Sequence, residues 1–132
     1  MNAILSIKPQ FVEEIIAGRK LFEFRKKSFK QEVNTVFVYA SSPICRIVGE
    51  FKLGAILEGT PEHVWSLTAD HSGITKRYYD QYFSCHKVSY ALEIKSFKRY
   101  KTPINPYLTI RDFHAPQSFC YTNEQVKQSK HI

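Results

Sequence analysis

Three strand-forming segments that follow one another without a helix between them constrain the fold of this chain more than any other feature. Residues 20–25 alternate with a period of two, residues 35–40 are rich in β-branched and aromatic side chains, and residues 45–57 form a third, longer segment. Gly49 and Gly54 mark sites where the third strand can bend or bulge. Consecutive strands that bend favour a small closed or half-closed barrel over a doubly wound parallel sheet.

Helices and two further strands are predicted around those segments. Helical spacing, a capping threonine or an initial proline predicts helices over residues 9–17, 60–69 and 75–83. Short apolar or alternating runs predict strands over residues 3–7 and 88–97. The sequence therefore predicts an α+β fold, a small mixed or antiparallel β-barrel flanked by helices.

The length of the chain indicates one domain. Its 132 residues, 43% of them hydrophobic, can bury one core but leave little room for two. Three prolines after Tyr100 preclude long regular elements in the rest of the chain. We expect a single domain over residues 1–122 and a polar, frayed C-terminal tail over residues 123–132.

The net charge points to an anionic partner. Lys and Arg number 19 against 12 Asp and Glu, which gives a formal charge of +7. Such an excess attracts polyanions such as RNA, DNA or anionic lipid, although solubility alone is an alternative explanation. No helix-turn-helix, zinc finger or basic recognition helix is visible in the sequence, which disfavours sequence-specific reading of duplex DNA.

The cysteines and histidines predict neither a disulfide framework nor a metal site. The 3 cysteines lie far apart without a C-x-x-C pair, and the 5 histidines show no ligand spacing. We therefore expect no metal and no cofactor. The sequence shows no export signal and no apolar run long enough to span a membrane, so we expect a cytoplasmic protein with no membrane partner.

One charged segment carries the candidate chemistry. Glu23 and Arg25 lie two residues apart on a predicted strand, so they share a face at a spacing of about 7 Å. Lys20 lies where the first helix passes into that strand, and its amine can reach around the end of the sheet. The three groups could hold a phosphate, a base edge or both. The alternative is an exposed strand face with weak ion pairs.

Further candidate residues surround this segment. Lys26 and Lys27 belong to a basic stretch over residues 19–30, a second basic stretch covers residues 95–101, and the two form one positive face if they are close in the fold. Glu93, in the last predicted strand, is a candidate for the same cleft, with a solvent-facing position as the alternative. One or two aromatic side chains are expected to stack on unpaired bases, and the candidates are Phe24, Phe29, Tyr100 and Tyr107.

The charged segment also resembles a known family. Gly18, Lys20, Glu23 and Arg25 match the G-x-K-x-x-E-x-R signature of ASCH domains, which belong to the PUA-like superfamily. Other segments resemble one uncharacterised prokaryotic branch of that family with a C-terminal Pro-Gln-Ser-Phe segment. These segments are Ile7-Lys8-Pro9, Tyr39-Ala40-Ser41-Ser42-Pro43, Gly73-Ile74-Thr75-Lys76, Tyr90-Ala91-Leu92-Glu93-Ile94 and Pro116-Gln117-Ser118-Phe119.

The resemblance implies a PUA-like pseudo-barrel with a cleft lined by the signature Lys, Glu and Arg. The superfamily is mostly associated with RNA, in RNA modification, translation and coactivator contexts. For this chain the resemblance implies binding of RNA, or of a nucleotide, in a basic cleft, in RNA metabolism or in transcriptional or translational regulation. Lys20 and Arg25 are expected to contact phosphate, while Glu23 orients Arg25 or accepts a hydrogen bond from a base amino group.

Catalysis is the alternative that the resemblance leaves open. Some ASCH proteins are similar to amidohydrolases that deacetylate acetylcytidine with a Lys, a Thr and a Glu, and others are linked to ribonuclease activity. Lys20 matches that Lys and would act as nucleophile or base, with Glu23 as acid–base partner. However, Glu23 occupies the Thr position, and residues 70–75 offer no later Glu. A regulatory module that recruits a protein partner is a third hypothesis, and the sequence makes no prediction of oligomeric state.

Overall fold

A computed structural model describes residues 1–123, so nearly all of the predicted polar tail lies outside the described residues. The strands within that range are β1 (Asn2–Ile7), β2 (Phe22–Arg25), β3 (Thr35–Ala40), β4 (Arg46–Gly59), β5 (Ser89–Ile104) and β6 (Phe119–Thr122). The helices are α1 (Pro9–Ile16), α2 (Pro61–Thr68), α3 (Lys76–Tyr82) and α4 (Pro106–Thr109), and a 3₁₀ turn covers Ala69–His71. Across residues 1–123, every helix is too short or too polar to cross a membrane.

The strands form one curled sheet in the order β2-β5-β4-β3-β1-β6. Strands β1 and β3 are parallel, and the other neighbouring pairs are antiparallel. Three register shifts occur between β4 and β5, and two of them coincide with the predicted bends, with Gly49 at one shift and Gly54 within another. Each shift lets the sheet curl. The predicted α+β barrel flanked by helices is confirmed, in the form of a half-barrel.

Local sequence signals place the helices as predicted. Thr60 and Thr75 cap α2 and α3, because their hydroxyls accept hydrogen bonds from the amides of His63 at 3.2 Å and Tyr78 at 3.1 Å. Gly18 follows α1 with a φ of 80°, the left-handed conformation that glycine adopts most readily. These ends fix where the chain leaves each helix, and α1 delivers the chain directly to the charged segment.

The core lies on both faces of the sheet because neighbouring residues of each strand point to opposite sides. On β1, Leu5 packs into the larger cluster beneath α1, whereas Ile4 packs into a second cluster on the other face with Tyr100. A third cluster joins α2 and α3 to the β2–β5 end of the sheet, through Tyr79 and Phe24 among others. Strand β2, at the edge of the sheet, is therefore held by its pairing with β5 and by packing against α3.

Residues 98–122 are more regular than predicted. Strand β5 continues through Pro103 to Ile104, and β6 pairs with β1. Between its pairings with Gly49 and Ile47, β5 carries an excess of residues, so Pro103 lies in a bulge where no ladder hydrogen bond is required of it. Beyond Tyr100 the elements are nevertheless short, as the prolines predicted, since β5 adds only four residues and α4 and β6 have four residues each.

Candidate functional site

A cavity of about 460 Å³ opens where the parallel strands β1 and β3 end. Helices α1 and α3 cover one side of it, and the segment between α4 and β6 covers the other. Its polar lining residues are Ser6, Lys8, Lys20, Glu23, Arg25, Ser41, Ser42 and Gln117. Its aromatic lining residues are Phe11, Phe24, Tyr39, Tyr78, Tyr82 and Tyr107.

Lys20 lies buried in the wall of this cavity, with 1% of its surface exposed. Its Nζ atom donates to the carbonyl oxygen of Ser72 at 2.9 Å and lies 3.5 Å from Oε1 of Glu23. The amine also lies 4.9 Å from the ring centroid of Phe24 and 5.4 Å from that of Phe11. Burial lowers the pKa of Lys20, and the Glu23 carboxylate opposes that shift. Lys20 is therefore a more readily deprotonated amine than an exposed lysine.

The segment that follows α2 holds Lys20 in place. The amide of Leu21 donates to the carbonyl oxygen of His71 at 2.8 Å, and the backbone of Lys20 pairs with Ser72. Gly73 has a φ of 66°, and a Cβ atom added there would lie 2.7 Å from Cγ of Lys20. Only glycine leaves room for the lysine at this point.

Glu23 connects Lys20 to Arg25. Its Oε2 atom accepts from Nε of Arg25 at 3.1 Å and from Nη2 at 2.6 Å. Nη2 of Arg25 also donates to the carbonyl oxygen of Ser6 at 2.6 Å, and Nη1 donates to Oγ of Ser118 at 3.1 Å. The structure thus brings Lys20, Glu23 and Arg25 together. However, the N–H groups of the Arg25 guanidinium already donate hydrogen bonds to groups within the protein. The binding role of these residues stays a prediction.

A pair of tyrosines forms the opposite wall. The hydroxyl oxygens of Tyr39 and Tyr107 are 3.0 Å apart, and either can donate. Burial, followed by hydrogen bonds with Tyr107 and Cys45, raises the pKa of Tyr39 above its ordinary value. Tyr39 therefore keeps its proton at neutral pH and offers a hydroxyl that can donate.

The remaining predicted charged residues lie outside the cavity. Lys26 is exposed and its Nζ lies 4.5 Å from the ring centroid of Tyr82, while Lys27 is also exposed. The carboxylate of Glu93 accepts from the amide of Ala55 at 2.9 Å, within the bulge of β4. The second basic stretch lies on the part of β5 that pairs with β4, and it contributes no residue to the cavity lining. The two basic stretches therefore do not meet at this cavity.

The predicted stacking residues separate into two groups. Tyr107 and Phe24 line the cavity, although only Tyr107 is substantially exposed, at 49%. Phe29 instead packs against Phe119, and Tyr100 donates to Glu50 at 2.7 Å.

Sequence reasoning did not assign Tyr78 and Tyr82 to the site. They lie four residues apart on α3, and this spacing places both on one helix face, which is the signal that could have found them.

Comparison with known proteins gives the following relationships. The family model of the ASCH domain matches residues 5–100. The chain is 26% identical over 131 residues to an ASCH domain-containing ribonuclease from Zymomonas mobilis, covering 96% of this chain and 88% of that protein. It is also 32% identical over 80 residues to the large ribosomal subunit protein uL22 of Ureaplasma parvum, covering 61% of this chain but only 26% of that protein.

Solved structures show the same fold. The crystal structure of the ASCH protein from Zymomonas mobilis superposes with a TM-score of 0.85 at 24% identity, covering 93% of this chain and 88% of that chain. A tyrosine-to-phenylalanine mutant of that protein gives a TM-score of 0.84 at 23% identity, covering 93% and 91%. The predicted PUA-like fold is confirmed by this likeness.

Proposed function

The chain belongs to the ASCH domain family, and on that premise we propose that it binds RNA with one nucleotide in the cavity. The observation that carries this proposal is the combination of aromatic side chains with a buried carboxylate and amine around one cavity of about 460 Å³. That volume is within the range of small-molecule sites. A nucleobase matches such a lining because it offers flat faces for stacking and an edge of hydrogen-bonding groups.

Glu23 is proposed to read the base. It is the one carboxylate among the described residues that line the cavity, and its Oε1 atom faces only Lys20, at 3.5 Å. This oxygen keeps the capacity to accept a hydrogen bond from a base amino group. Arg25 is proposed to orient Glu23 rather than to contact the ligand, because its hydrogen bonds run to Glu23, Ser6 and Ser118.

Ribonuclease activity is the second candidate function. It is favoured by the relationship to the Zymomonas mobilis protein and by the lowered pKa of Lys20 in the cavity wall. In RNA cleavage of this kind the 2′-hydroxyl attacks the adjacent phosphorus and the 5′-oxygen leaves, so one group takes a proton and another returns one. Lys20 as base and Glu23 as its acid–base partner are the proposed groups. Acetylcytidine hydrolysis is disfavoured because Glu23 occupies the position of the expected Thr.

Finer features of the chain belong to the same proposal. We infer a single domain over residues 1–122 in a cytoplasmic protein of the uncharacterised prokaryotic branch with the Pro-Gln-Ser-Phe segment. Two observations support a functional role for that segment. Pro116 and Gln117 line the cavity, and the carbonyl oxygen of Pro116 accepts from the hydroxyl of Ser6 at 2.7 Å.

Fluorescence anisotropy with a labelled single-stranded RNA at increasing salt concentration tests the binding proposal. The logarithm of the affinity should fall linearly with the logarithm of the salt concentration. Lys20→Met should weaken binding, and Lys87→Met, which removes an exposed lysine outside the cavity, should not. Failure of the wild-type protein to bind the RNA at low salt would refute the proposal. Electrophoresis of the same RNA then distinguishes RNA binding alone from ribonuclease activity. Only a ribonuclease cleaves the RNA into shorter products, and Lys20→Met should abolish this cleavage.

A further inference from the structure

We propose that Lys8, Ser41 and Ser42 form a phosphate subsite at the mouth of the cavity. The inference rests on the proposed function and specifies it. The ligand is a nucleoside phosphate, or a nucleotide within RNA, whose base points toward Glu23 and whose phosphate points outward. In this arrangement the phosphate contacts Lys8, Ser41 and Ser42, and not Arg25 and Lys20 as the sequence analysis predicted.

Arg25 and Lys20 are poorly suited to bind a phosphate. Arg25 donates to Glu23, to the carbonyl oxygen of Ser6 and to Ser118, at distances between 2.6 and 3.4 Å. Lys20 donates to Ser72 and is paired with Glu23. A phosphate placed here would have to replace buried hydrogen bonds and approach the Glu23 carboxylate, and both changes are costly.

Lys8 and Ser41 are brought side by side by the parallel strand pair. Ile7 on β1 pairs with Ala40 on β3, and the amide of Ser41 donates to the carbonyl oxygen of Ile7 at 3.0 Å. The next residue of each chain segment, Lys8 and Ser41, therefore leaves the sheet at the same level, on strands about 4.8 Å apart. Ser42 follows directly, and all three residues line the cavity.

The side chains of these three residues are available to a ligand. Across residues 1–123, neither hydroxyl makes a hydrogen bond, and Lys8 has no carboxylate partner; its Nζ lies 5.9 Å from the ring centroid of Tyr78. An ammonium group offers three donors and each hydroxyl offers one, which suits the oxygens of a phosphate. The neighbouring carboxylate, Glu23, is already paired with Lys20 and Arg25, so the local field is positive.

The second large cavity does not compete for the phosphate. It lies on the other side of Phe11 and Tyr78, which line both cavities. Among its charged residues, Glu14 and Arg19 pair at 2.8 Å, and Asp70 has no cationic partner within residues 1–123. This unpaired carboxylate repels an anion, so the phosphate is drawn to the Lys8 side of the aromatic wall.

Titrations followed by backbone amide NMR test the subsite, because they measure weak binding and confirm folding in the same spectra. The probes are the four nucleosides and their 3′- and 5′-monophosphates. The wild-type protein should bind at least one monophosphate about tenfold more tightly than its nucleoside. Lys8→Gln, and the double variant Ser41→Ala with Ser42→Ala, should each weaken monophosphate binding more than nucleoside binding and so remove most of this preference. Lys87→Gln, which removes one charge outside the cavity, should keep it.

The possible outcomes separate the subsite from the proposed function. Equal affinity for nucleoside and monophosphate, or variants that keep the preference, would overturn the phosphate subsite and leave nucleotide binding in the cavity standing. A protein whose cavity responds to neither ligand would overturn both.

Discussion

The Nη2 atom of Arg25 donates a hydrogen bond to the carbonyl oxygen of Ser6 at 2.6 Å. Arg25 lies on β2, which is the first strand in the sheet, whereas Ser6 lies on β1, next to the opposite edge. The guanidinium also reaches Ser118 just before β6, the strand at that edge. One side chain thus spans the gap between the two ends of the curled sheet, and the same side chain orients Glu23 in the cavity.

Replacing Arg25 should therefore destabilise the whole fold. Arg25→Met leaves Glu23 buried beside Lys20 alone and removes the contacts to Ser6 and Ser118, so we expect a loss of about 3–5 kcal/mol in the free energy of unfolding. Denaturant unfolding measures the change. Arg19→Met is the matched control, because Arg19 forms an exposed pair with Glu14 and its loss should have little effect on the free energy of unfolding. If both variants lose the same free energy of unfolding, the contacts of Arg25 with Glu23, Ser6 and Ser118 contribute no more stability than an exposed ion pair.

The contact between Gly73 and Lys20 predicts a difference between two glycine substitutions. Gly18 and Gly73 both have positive φ, so alanine at either position should cost about 1–2 kcal/mol in backbone strain. At Gly73 the new Cβ also meets the Lys20 side chain, whereas at Gly18 it meets nothing within 4 Å. We expect Gly73→Ala to lose about 1–3 kcal/mol more and to weaken RNA binding. The same free energy of unfolding for both variants would contradict this packing.

Burial of Lys20 predicts how stability depends on pH. Its folded-state pKa lies below the ordinary value of 10.5, so between those two values the unfolded chain binds more protons. The contribution of Lys20 to stability must therefore increase as the pH rises through that window. It is smallest below the folded-state pKa.

Unfolding free energies of wild type and Lys20→Met across alkaline pH test this dependence. Raised pKa values of buried tyrosines such as Tyr79 act in the opposite direction, but they are common to both proteins and cancel in the difference. The wild type should gain stability relative to Lys20→Met as the pH rises. A difference that stays flat or falls would contradict the lowered pKa of Lys20.

Local patterns account for the parts of the structure that the sequence predicted. The caps at Thr60 and Thr75 and the period of two through Glu23 and Arg25 depend on residues at most four positions apart, so they can be recognised in sequence. The order of such segments predicts a barrel flanked by helices, and the match of Gly18, Lys20, Glu23 and Arg25 to a family signature predicts the ASCH family. Both predictions are confirmed.

Long-range contacts account for what the sequence did not predict. Arg25 and Ser118 are 93 residues apart in the chain, and Ser6 and Pro116 are 110 residues apart. No local signal shows that these residues meet. The part of the cavity wall formed by residues 115–117 and the pairing of β6 with β1 were therefore not predicted. The bulge in β4 places the amide of Ala55 where it donates to the Glu93 carboxylate, so Glu93 lies outside the cavity instead of in the predicted cleft.

The ring of Tyr82 should contribute to binding by stacking on a base. Tyr82→Leu removes the aromatic face from the cavity wall and should weaken RNA binding about tenfold, within the range of one stacking contact. Tyr82→Phe is the control, because it keeps the ring and removes only the hydroxyl. Anisotropy with the same labelled RNA measures both variants. A loss with Phe as large as that with Leu would assign the effect to the hydroxyl and exclude stacking.

Titration of the isotope-labelled protein with a short single-stranded RNA tests nucleotide binding in the cavity most directly. The largest amide shift changes should fall on residues that line it, including Lys8, Lys20, Ser41 and Tyr82, and Lys20→Met should diminish them. Changes confined to the exposed basic residues 95–101, or no changes at all, would contradict binding in the cavity.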